Sequence, residues 1–105
     1  MMKIDIEVSN KAKKQYKDLK KKHQNEIINK ISEYIRDIER NAENYKEEFE
    51  NEEEYPEYGL GDPEQLKHGY SGYWSRRIDK KNRLVYKIKN KRIVIYQFYG
   101  HYEDK

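Results

Sequence analysis

The C-terminal half of the chain is rich in side chains that can transfer protons or bind phosphate. RNA can be cut when its own 2′-hydroxyl attacks the adjacent phosphorus. Such a reaction needs a general base for the hydroxyl proton and a general acid for the departing 5′-oxygen. It also needs cations around the phosphate, where negative charge collects in the transition state. The residues of suitable type are Glu64, Lys67, His68, Arg76, Arg77, Arg83, His101 and Tyr102.

Within this set, each step of that chemistry has a candidate. Glu64 is a candidate base and His101 a candidate acid. Arg77 and Arg83 are candidates for phosphate contacts, because a guanidinium presents a planar fork to phosphate oxygens. Tyr102 is placed to hydrogen-bond the phosphate or to stack on a base. Each residue also has a purely structural interpretation, since a carboxylate can serve a helix N-terminus and an arginine can be a solvated strand residue. Spacing alone leaves both interpretations open.

Several other kinds of chemistry are not predicted. The chain has no cysteine, which excludes disulfides and thiolate metal sites. The histidines His23, His68 and His101 are far apart in the sequence and lack metal-ligand spacing. Glycine-rich phosphate-binding and dinucleotide-binding motifs are also missing, so we predict no metal and no other cofactor. No apolar run approaches the roughly 20 residues of a membrane span, and we expect a cytoplasmic protein without a membrane partner.

The charges are strongly segregated along the chain. Of the 105 residues, 41% are charged, and the net charge is +3. Residues 1–23 have a net charge of +5, residues 24–62 of −9 and residues 63–105 of +7. The basic C-terminal part also carries aromatic residues, a combination typical of a nucleic-acid-binding surface, although basic strands can equally be soluble edges. The length suits a single domain, 1–105.

The first half of the sequence predicts one strand followed by two helices. Apolar and charged residues alternate over Lys3–Val8, which predicts a half-buried strand. Ser9 is a candidate N-cap for an amphipathic helix over about residues 10–22. A second helix, with a broad isoleucine-rich stripe, begins near Gln24 and extends to about residue 50. Its end overlaps an acidic insert at about 42–60, where glycine and proline then indicate a loop.

From Tyr73 onwards the hydrophobic period changes to that of strands. Short turns separate the runs Tyr73–Asp79, Arg83–Lys89 and Arg92–Tyr99, which predicts a three-stranded antiparallel meander. The fold class is therefore α+β, with both helices packed on one face of a single twisted sheet. We expect the opposite face to be exposed, basic and aromatic, as in an RNA-binding platform. Strand alternation puts Arg76 and Arg77 on opposite faces, so only Arg77 is expected to line the site.

Three ordered blocks in the second half of the chain resemble one protein family. They read Gly-Asp-Pro-Glu-Gln-Leu-Lys-His at 61–68, Ser-Gly-Tyr-Trp-Ser-Arg-Arg-Ile at 71–78 and Asn-Arg-Leu-Val-Tyr at 82–86. A His-Tyr pair follows at 101–102. In this order the blocks resemble the YoeB/Txe family of bacterial toxins, within the RelE-like superfamily. The resemblance is strongest over residues 59–102.

The resemblance implies a RelE/YoeB-like microbial RNase fold and the toxin role in a type II toxin–antitoxin system. Such toxins are ribosome-dependent endoribonucleases, or mRNA interferases, that cut mRNA in the decoding site without a metal and inhibit translation. The implied partners are the ribosome with its mRNA and a cognate antitoxin of the YefM/Phd-like type. A homodimer is a further implied partner.

Matched position by position, the resemblance implies a role for each site residue. Glu64 corresponds to the general base and His101 to the general acid. Arg77 and Arg83 correspond to the phosphate-binding arginines, and Tyr102 to the terminal tyrosine of the catalytic set. The residues assigned to RNA binding beside them are Lys67, His68, Trp74 and Arg76.

Two other functions stay open on the sequence. One is a ParE-like protein of the same fold, which poisons DNA gyrase by protein binding. The other is an inactive toxin that only binds an antitoxin. Two features depart from the family pattern, namely the acidic insert and the Glu103-Asp104-Lys105 tail. Either a longer helix or a cover for the basic site would account for the insert.

Overall fold

Two helices and a mixed five-stranded sheet form the described part of the chain. The computed structural model describes residues 5–45, 59–66, 72–89 and 92–100. In chain order the elements are β1 (Asp5–Val8), α1 (Asn10–Lys21), α2 (Asn25–Tyr45), β2 (Glu64–Gln65), β3 (Trp74–Arg77), β4 (Arg83–Lys89) and β5 (Arg92–Gln97). The strand order across the sheet is β1-β5-β4-β3-β2. β1 is parallel to β5 and the other neighbouring pairs are antiparallel, which confirms the predicted α+β class and the β3–β4–β5 meander.

The first helix begins where the sequence predicts. Ser9 is its N-cap, and the Ser9 hydroxyl oxygen accepts a hydrogen bond from the N–H of Ala12 at 3.0 Å. The same hydroxyl donates to the carbonyl oxygen of Tyr96 at 2.6 Å, so the cap also joins α1 to β5. Ala12 and Leu19 are buried, whereas the lysines of the helix are exposed. The amphipathic pattern therefore decides which face of α1 meets the sheet.

The second helix supplies the larger part of the helical core. Its residues Ile31, Tyr34 and Ile38 belong to the main core cluster, together with Leu84 and Ile93 from the sheet. Ile31, Ile38 and Ile93 are each at most 1% exposed. The described helix ends at Tyr45. The predicted extension to about residue 50 and most of the acidic insert therefore lie outside the described residues.

The three predicted strands of the meander are in the correct order, and two of them were predicted to extend too far at their C-terminal ends. β4 has the predicted bounds, but β3 ends at Arg77 and β5 at Gln97. The Asp79 carboxylate explains the end of β3, because it accepts hydrogen bonds from the next residues and closes a turn. β2 is not predicted from the sequence, because a strand of two residues is too short to show a hydrophobic period.

The sheet face opposite the helices, called the open face below, carries the side chains that alternate with core residues. They are Glu64, Leu66, Tyr73, Ser75, Arg77, Arg83, Val85 and Lys87. The expectation that this face is wholly exposed is wrong at its centre, where Leu66, Ser75 and Val85 are at most 3% exposed. None of these three belongs to the main core cluster. The open face therefore has a small interior of its own.

Candidate active site

Strand pairing places the predicted base and both predicted phosphate-binding arginines on the open face. Glu64 is the cross-strand partner of Ser75, and Arg77 is the cross-strand partner of Arg83. Ser75 and Arg77 are two residues apart on β3, so they point to the same face. Directly paired residues have Cβ atoms about 4.5–5.5 Å apart, and diagonal neighbours about 7–8 Å apart. Glu64 is therefore a diagonal neighbour of Arg77, and Arg83 lies opposite Arg77, one strand further from Glu64.

The opposed arginines set two positive charges directly across from each other. Like charges at directly paired strand positions repel each other, so an anion between Arg77 and Arg83 is favoured. The Arg77 side chain is 56% exposed and pairs with Asp62, which is 83% exposed, at a distance of 3.9 Å. An exposed ion pair of this kind contributes about 0–1 kcal/mol. A phosphate group can therefore replace Asp62 at Arg77 with little loss.

Backbone carbonyl groups fix the position of Arg83. Its Nη1 donates to the carbonyl oxygens of Asp79 at 2.9 Å and of Asn82 at 3.3 Å. Its backbone N–H donates to the carbonyl oxygen of Gly100 at 2.9 Å. Gly100 directly precedes His101 in the sequence. The last described residue of the C-terminal segment is thus bound to Arg83.

The turn between β3 and β4 supports this arginine. The Asp79 Oδ1 accepts hydrogen bonds from the N–H groups of Lys81 and Asn82, both at 2.9 Å. Hydrogen bonds from the Asn82 side chain and from these two N–H groups hold the pKa of Asp79 below its ordinary value. The carboxylate therefore stays ionised at neutral pH and keeps the turn closed.

The loop that leads into Glu64 is anchored at Gly61. The Gly61 carbonyl oxygen accepts a hydrogen bond from the N–H of Arg77 at 2.6 Å. The Gly61 φ of +75° lies in the left-handed region that favours glycine. A Cβ at this position would lie 2.6 Å from the Tyr34 ring, whose hydroxyl donates to the carbonyl oxygen of Arg77 at 2.9 Å. The backbone N–H and the backbone carbonyl group of Arg77 are thus both hydrogen-bonded to neighbouring elements.

Arg76 lies beneath the site, buried at 3% exposure. Its Nη1 pairs with the Asp37 carboxylate at 2.5 Å and donates to the carbonyl oxygen of Leu60 at 3.1 Å. Its Nε donates to the Tyr86 hydroxyl at 3.1 Å, and Asp37 also accepts the N–H of Leu60 at 3.0 Å. We call Asp37, Leu60, Arg76 and Tyr86 the buried brace. It links α2, the loop before β2, β3 and β4.

The Asp37 carboxylate is held in its ionised form within the buried brace. Burial by itself raises its pKa, because it removes water from the charge. Hydrogen bonds from Arg76 and from the Leu60 N–H, with the charges of Arg76 and Arg40, outweigh burial and lower the pKa below its ordinary value. The brace is therefore an ion pair at neutral pH.

Two residues that the sequence analysis assigns to RNA binding are buried. Trp74 is 6% exposed and belongs to the core cluster, and Arg76 belongs to the buried brace. We therefore correct both assignments to structural roles. The sequence signal for the brace was a basic residue on an inward strand face, since a buried guanidinium needs a counter-charge. That counter-charge, Asp37, was missed because it lies 39 residues away in the sequence.

Four predicted site residues lie outside the described residues, so their roles stay predictions. They are Lys67, His68, His101 and Tyr102. Within the described ranges, no group of three or more His, Asp or Glu side chains is arranged to hold a metal ion. The described helices include none that is long and apolar enough to cross a lipid bilayer.

Solved structures that match this fold include bacterial toxins. A YoeB/ParE toxin from Agrobacterium tumefaciens matches with a TM-score of 0.71 and 29% identity, over 94% of this chain and 100% of that chain. A chain of the YoeB–YefM complex from Staphylococcus aureus matches with a TM-score of 0.69 and 26% identity, over 97% of this chain and 100% of that chain. The fold therefore defines the class as a YoeB/RelE-like toxin.

Sequence comparison narrows this class to one family. The family described as YoeB-like toxin of bacterial type II toxin-antitoxin system matches residues 9–102. Toxin YoeB of Escherichia coli K12 is 38% identical over 76 residues, which are 72% of this chain and 74% of that protein. Toxin YoeB of Streptomyces coelicolor is 55% identical over 47 residues, which are 45% of this chain and 56% of that protein. The chain thus spans little more than half the length of the Streptomyces relative. It belongs to the family of YoeB-like toxins, as the sequence blocks predicted.

Proposed function

We propose that the chain is a ribosome-dependent endoribonuclease, the mRNA-cleaving toxin of a type II toxin–antitoxin system. The observation that carries the proposal is the strand register that sets Glu64 diagonal to Arg77, which in turn lies opposite Arg83. This arrangement offers a proton acceptor beside a phosphate-binding pair on a solvent-accessible sheet face. Family membership supports the same activity. Cleavage in the ribosomal decoding site would inhibit translation.

In the proposed reaction, the Glu64 carboxylate takes the proton of the 2′-hydroxyl. The 2′-oxygen attacks the adjacent phosphorus, a new O–P bond forms, and the bond from phosphorus to the 5′-oxygen breaks. Arg77 and Arg83 stabilise the charge on the phosphate oxygens as this happens. His101 gives a proton to the leaving 5′-oxygen. This scheme uses no metal and no other cofactor. Tyr102 completes the proposed catalytic set by a hydrogen bond to the phosphate or by stacking on a base, and Lys67 and His68 are the further proposed RNA contacts.

The proposed partners follow from the solved relatives. One Staphylococcus aureus structure is a YoeB–YefM complex, and another is a YoeB dimer. We propose a cognate antitoxin of the YefM type for this chain as well, together with self-association as a dimer. Translation takes place in the cytoplasm, which is the proposed location.

The decisive experiment uses purified ribosomes programmed with a short mRNA. Native chain should cut this mRNA in the decoding site and leave a 2′,3′-cyclic phosphate and a 5′-hydroxyl. A 2′-deoxy nucleotide 5′ of the cut should abolish cleavage, because the attacking hydroxyl is missing. Glu64→Gln removes the base and should lower the cleavage rate by about 10²–10⁴-fold. An uncut mRNA with native chain, or full activity of Glu64→Gln, would refute the proposed mechanism.

Matched variants separate the site from general effects of mutation. Gln65 is next to Glu64 but pairs with Trp74 and so points to the other face. Gln65→Ala should therefore keep full cleavage activity. Arg36 is exposed on α2, on the other side of the sheet from the open face, so Arg36→Gln should cut normally, whereas Arg77→Gln should not. Inhibition of gyrase supercoiling without mRNA cleavage would favour the ParE-like alternative.

A further inference from the structure

A group of cationic and aromatic side chains extends from the open face to the start of α1. The rings of Tyr73 and Tyr96 meet edge to face, with centroids 6.0 Å apart and an interplanar angle of 68°. The Lys87 ammonium lies 5.1 Å from the Tyr73 ring centroid, and the Lys11 ammonium lies 4.8 Å from the Tyr96 ring centroid. We call Tyr73, Lys87, Tyr96 and Lys11 the tyrosine–lysine patch.

Strand geometry brings this patch to the open face. Tyr73 precedes Trp74 and Lys87 follows Tyr86, and Trp74 and Tyr86 are cross-strand partners whose side chains belong to the core. Their neighbours in sequence therefore point away from the core. A β-bulge in β5 sets the direction of Tyr96, since Val85 pairs with Gln97 whereas the next residue, Tyr86, pairs with Ile95. Tyr96 is thus the extra residue, and bulges of this kind redirect a side chain.

The patch continues from the candidate site along β3. Tyr73 directly precedes β3 and Arg77 ends it, so the two residues are four positions apart with the same alternation, which corresponds to about 13 Å. Lys87 and Lys11 add positive charge beyond Tyr73, as seen from Arg77. Lys11 is also the first residue of the lysine-rich face of α1. On this side of the sheet the Glu7 carboxylate pairs with Arg92 at 2.7 Å, so its charge is compensated. An anionic strand that extended about 13 Å from Arg77, past the buried Ser75, would reach these aromatic rings and ammonium groups.

From these contacts we propose that the tyrosine–lysine patch is a subsite for single-stranded RNA, where unpaired bases stack on Tyr73 and Tyr96 and Lys87 and Lys11 bind the flanking phosphates. This inference rests on the proposed function and extends the same RNA path. Tyr73 and Tyr96 are half-buried, so part of each ring is accessible. A lysine over such a ring contributes about 0.5–1 kcal/mol, whereas a base stacked on it contributes about 1–3 kcal/mol. A base therefore displaces the ammonium from the ring face, and the ammonium moves to a phosphate.

The test measures binding without cleavage. The probe is a fluorescent single-stranded 2′-O-methyl RNA, which lacks the attacking hydroxyl, and it is titrated with the full chain by fluorescence anisotropy. Tyr73→Leu should weaken binding about tenfold, the cost of one stacked base at the lower end of its range. Tyr73→Phe keeps the ring and should bind within about twofold of the native chain. An abasic probe of equal length should bind Tyr73→Leu and native chain alike.

Charge is tested in the same assay. Lys87→Gln should reduce the slope of log Kd against log salt by about 0.7, the effect of one phosphate contact on a single strand. The matched control is a similar pair elsewhere in the fold. Lys20 lies 5.7 Å from the ring centroid of Tyr16, which packs on Phe98. Lys20→Gln should therefore leave the salt slope of native chain unchanged.

The outcomes distinguish this inference from the proposed function. Native affinity in Tyr73→Leu, no binding of the probe by native chain, or equal binding of abasic and base-bearing probes would each overturn the subsite. Loss of antitoxin binding alone in Tyr73→Leu would also overturn it, because the patch would then be a protein-binding surface. Ribosomal mRNA cleavage by native chain tests the proposed function separately. Patch-dependent RNA binding without any cleavage would support the subsite and refute the activity.

Discussion

Replacement of Asp37 by asparagine tests the buried brace most directly. Asp37→Asn is nearly isosteric, but it removes the charge opposite Arg76, whose side chain is 3% exposed. An arginine cannot lose its proton in a protein, so the variant would hold an uncompensated buried cation. Removal of one partner from a buried ion pair costs about 3–5 kcal/mol. Because the Asp37 side chain is still 14% exposed, we expect the lower value, about 3 kcal/mol.

The expected loss of stability is large enough to measure by two methods. A change of about 3 kcal/mol lowers the Tm of a domain of this size by about 12–24 °C. Urea titration of native chain and variant should give the same difference, with an unchanged m-value. The matched control is Asp18→Asn on α1, where Asp18 pairs with Lys22 at 3.1 Å and both side chains are more than half exposed. That substitution should cost only about 0–1 kcal/mol.

The brace also bears on the candidate site. Asp37 and Arg76 both bind the backbone of Leu60, which precedes Gly61 and the loop into Glu64. At a temperature where the variant is folded, Asp37→Asn should therefore lower the cleavage rate more than it weakens RNA binding. If Asp37→Asn were no less stable than Asp18→Asn, the reasoning about the buried charge would be wrong.

Three smaller predictions follow from the same structure. Gly61→Ala should destabilise the chain by about 2 kcal/mol in urea titration, because a residue other than glycine is strained at this φ and would meet Tyr34; unchanged stability would contradict the turn geometry. Ser9→Ala should cost about 1 kcal/mol through loss of the N-cap and should speed hydrogen exchange in the first turn of α1. Below about pH 4, the ordinary Asp value, native chain should lose stability as the pH falls towards the depressed folded pKa of Asp37, because the unfolded chain takes up the proton first. Asp37→Asn should lose less over that range, and parallel pH profiles would argue against an ionised Asp37.

Much of the fold could be read from local patterns. The alternation in β4 and the apolar stripe of α2 are periodic over enough residues to give type and order, and Ser9 marks a helix start by its own hydrogen bond. The strand ends were less accurate, because a turn such as that at Asp79 depends on side-chain contacts rather than on hydrophobic period. β2 has no period at all, and only pairing with β3 makes it a strand.

The candidate site divides in the same way between sequence and tertiary structure. The sequence by itself determined the residue types at Glu64, Arg77 and Arg83 and, through ordered blocks, the family. Strand alternation already separated Arg76 from Arg77, because neighbouring strand residues point to opposite faces. Only the tertiary structure decided that Arg76 has its counter-charge on α2, because Asp37 is remote in the chain. The register of β2 on β3 was likewise decided there, since pairing between distant segments depends on packing that no local pattern records.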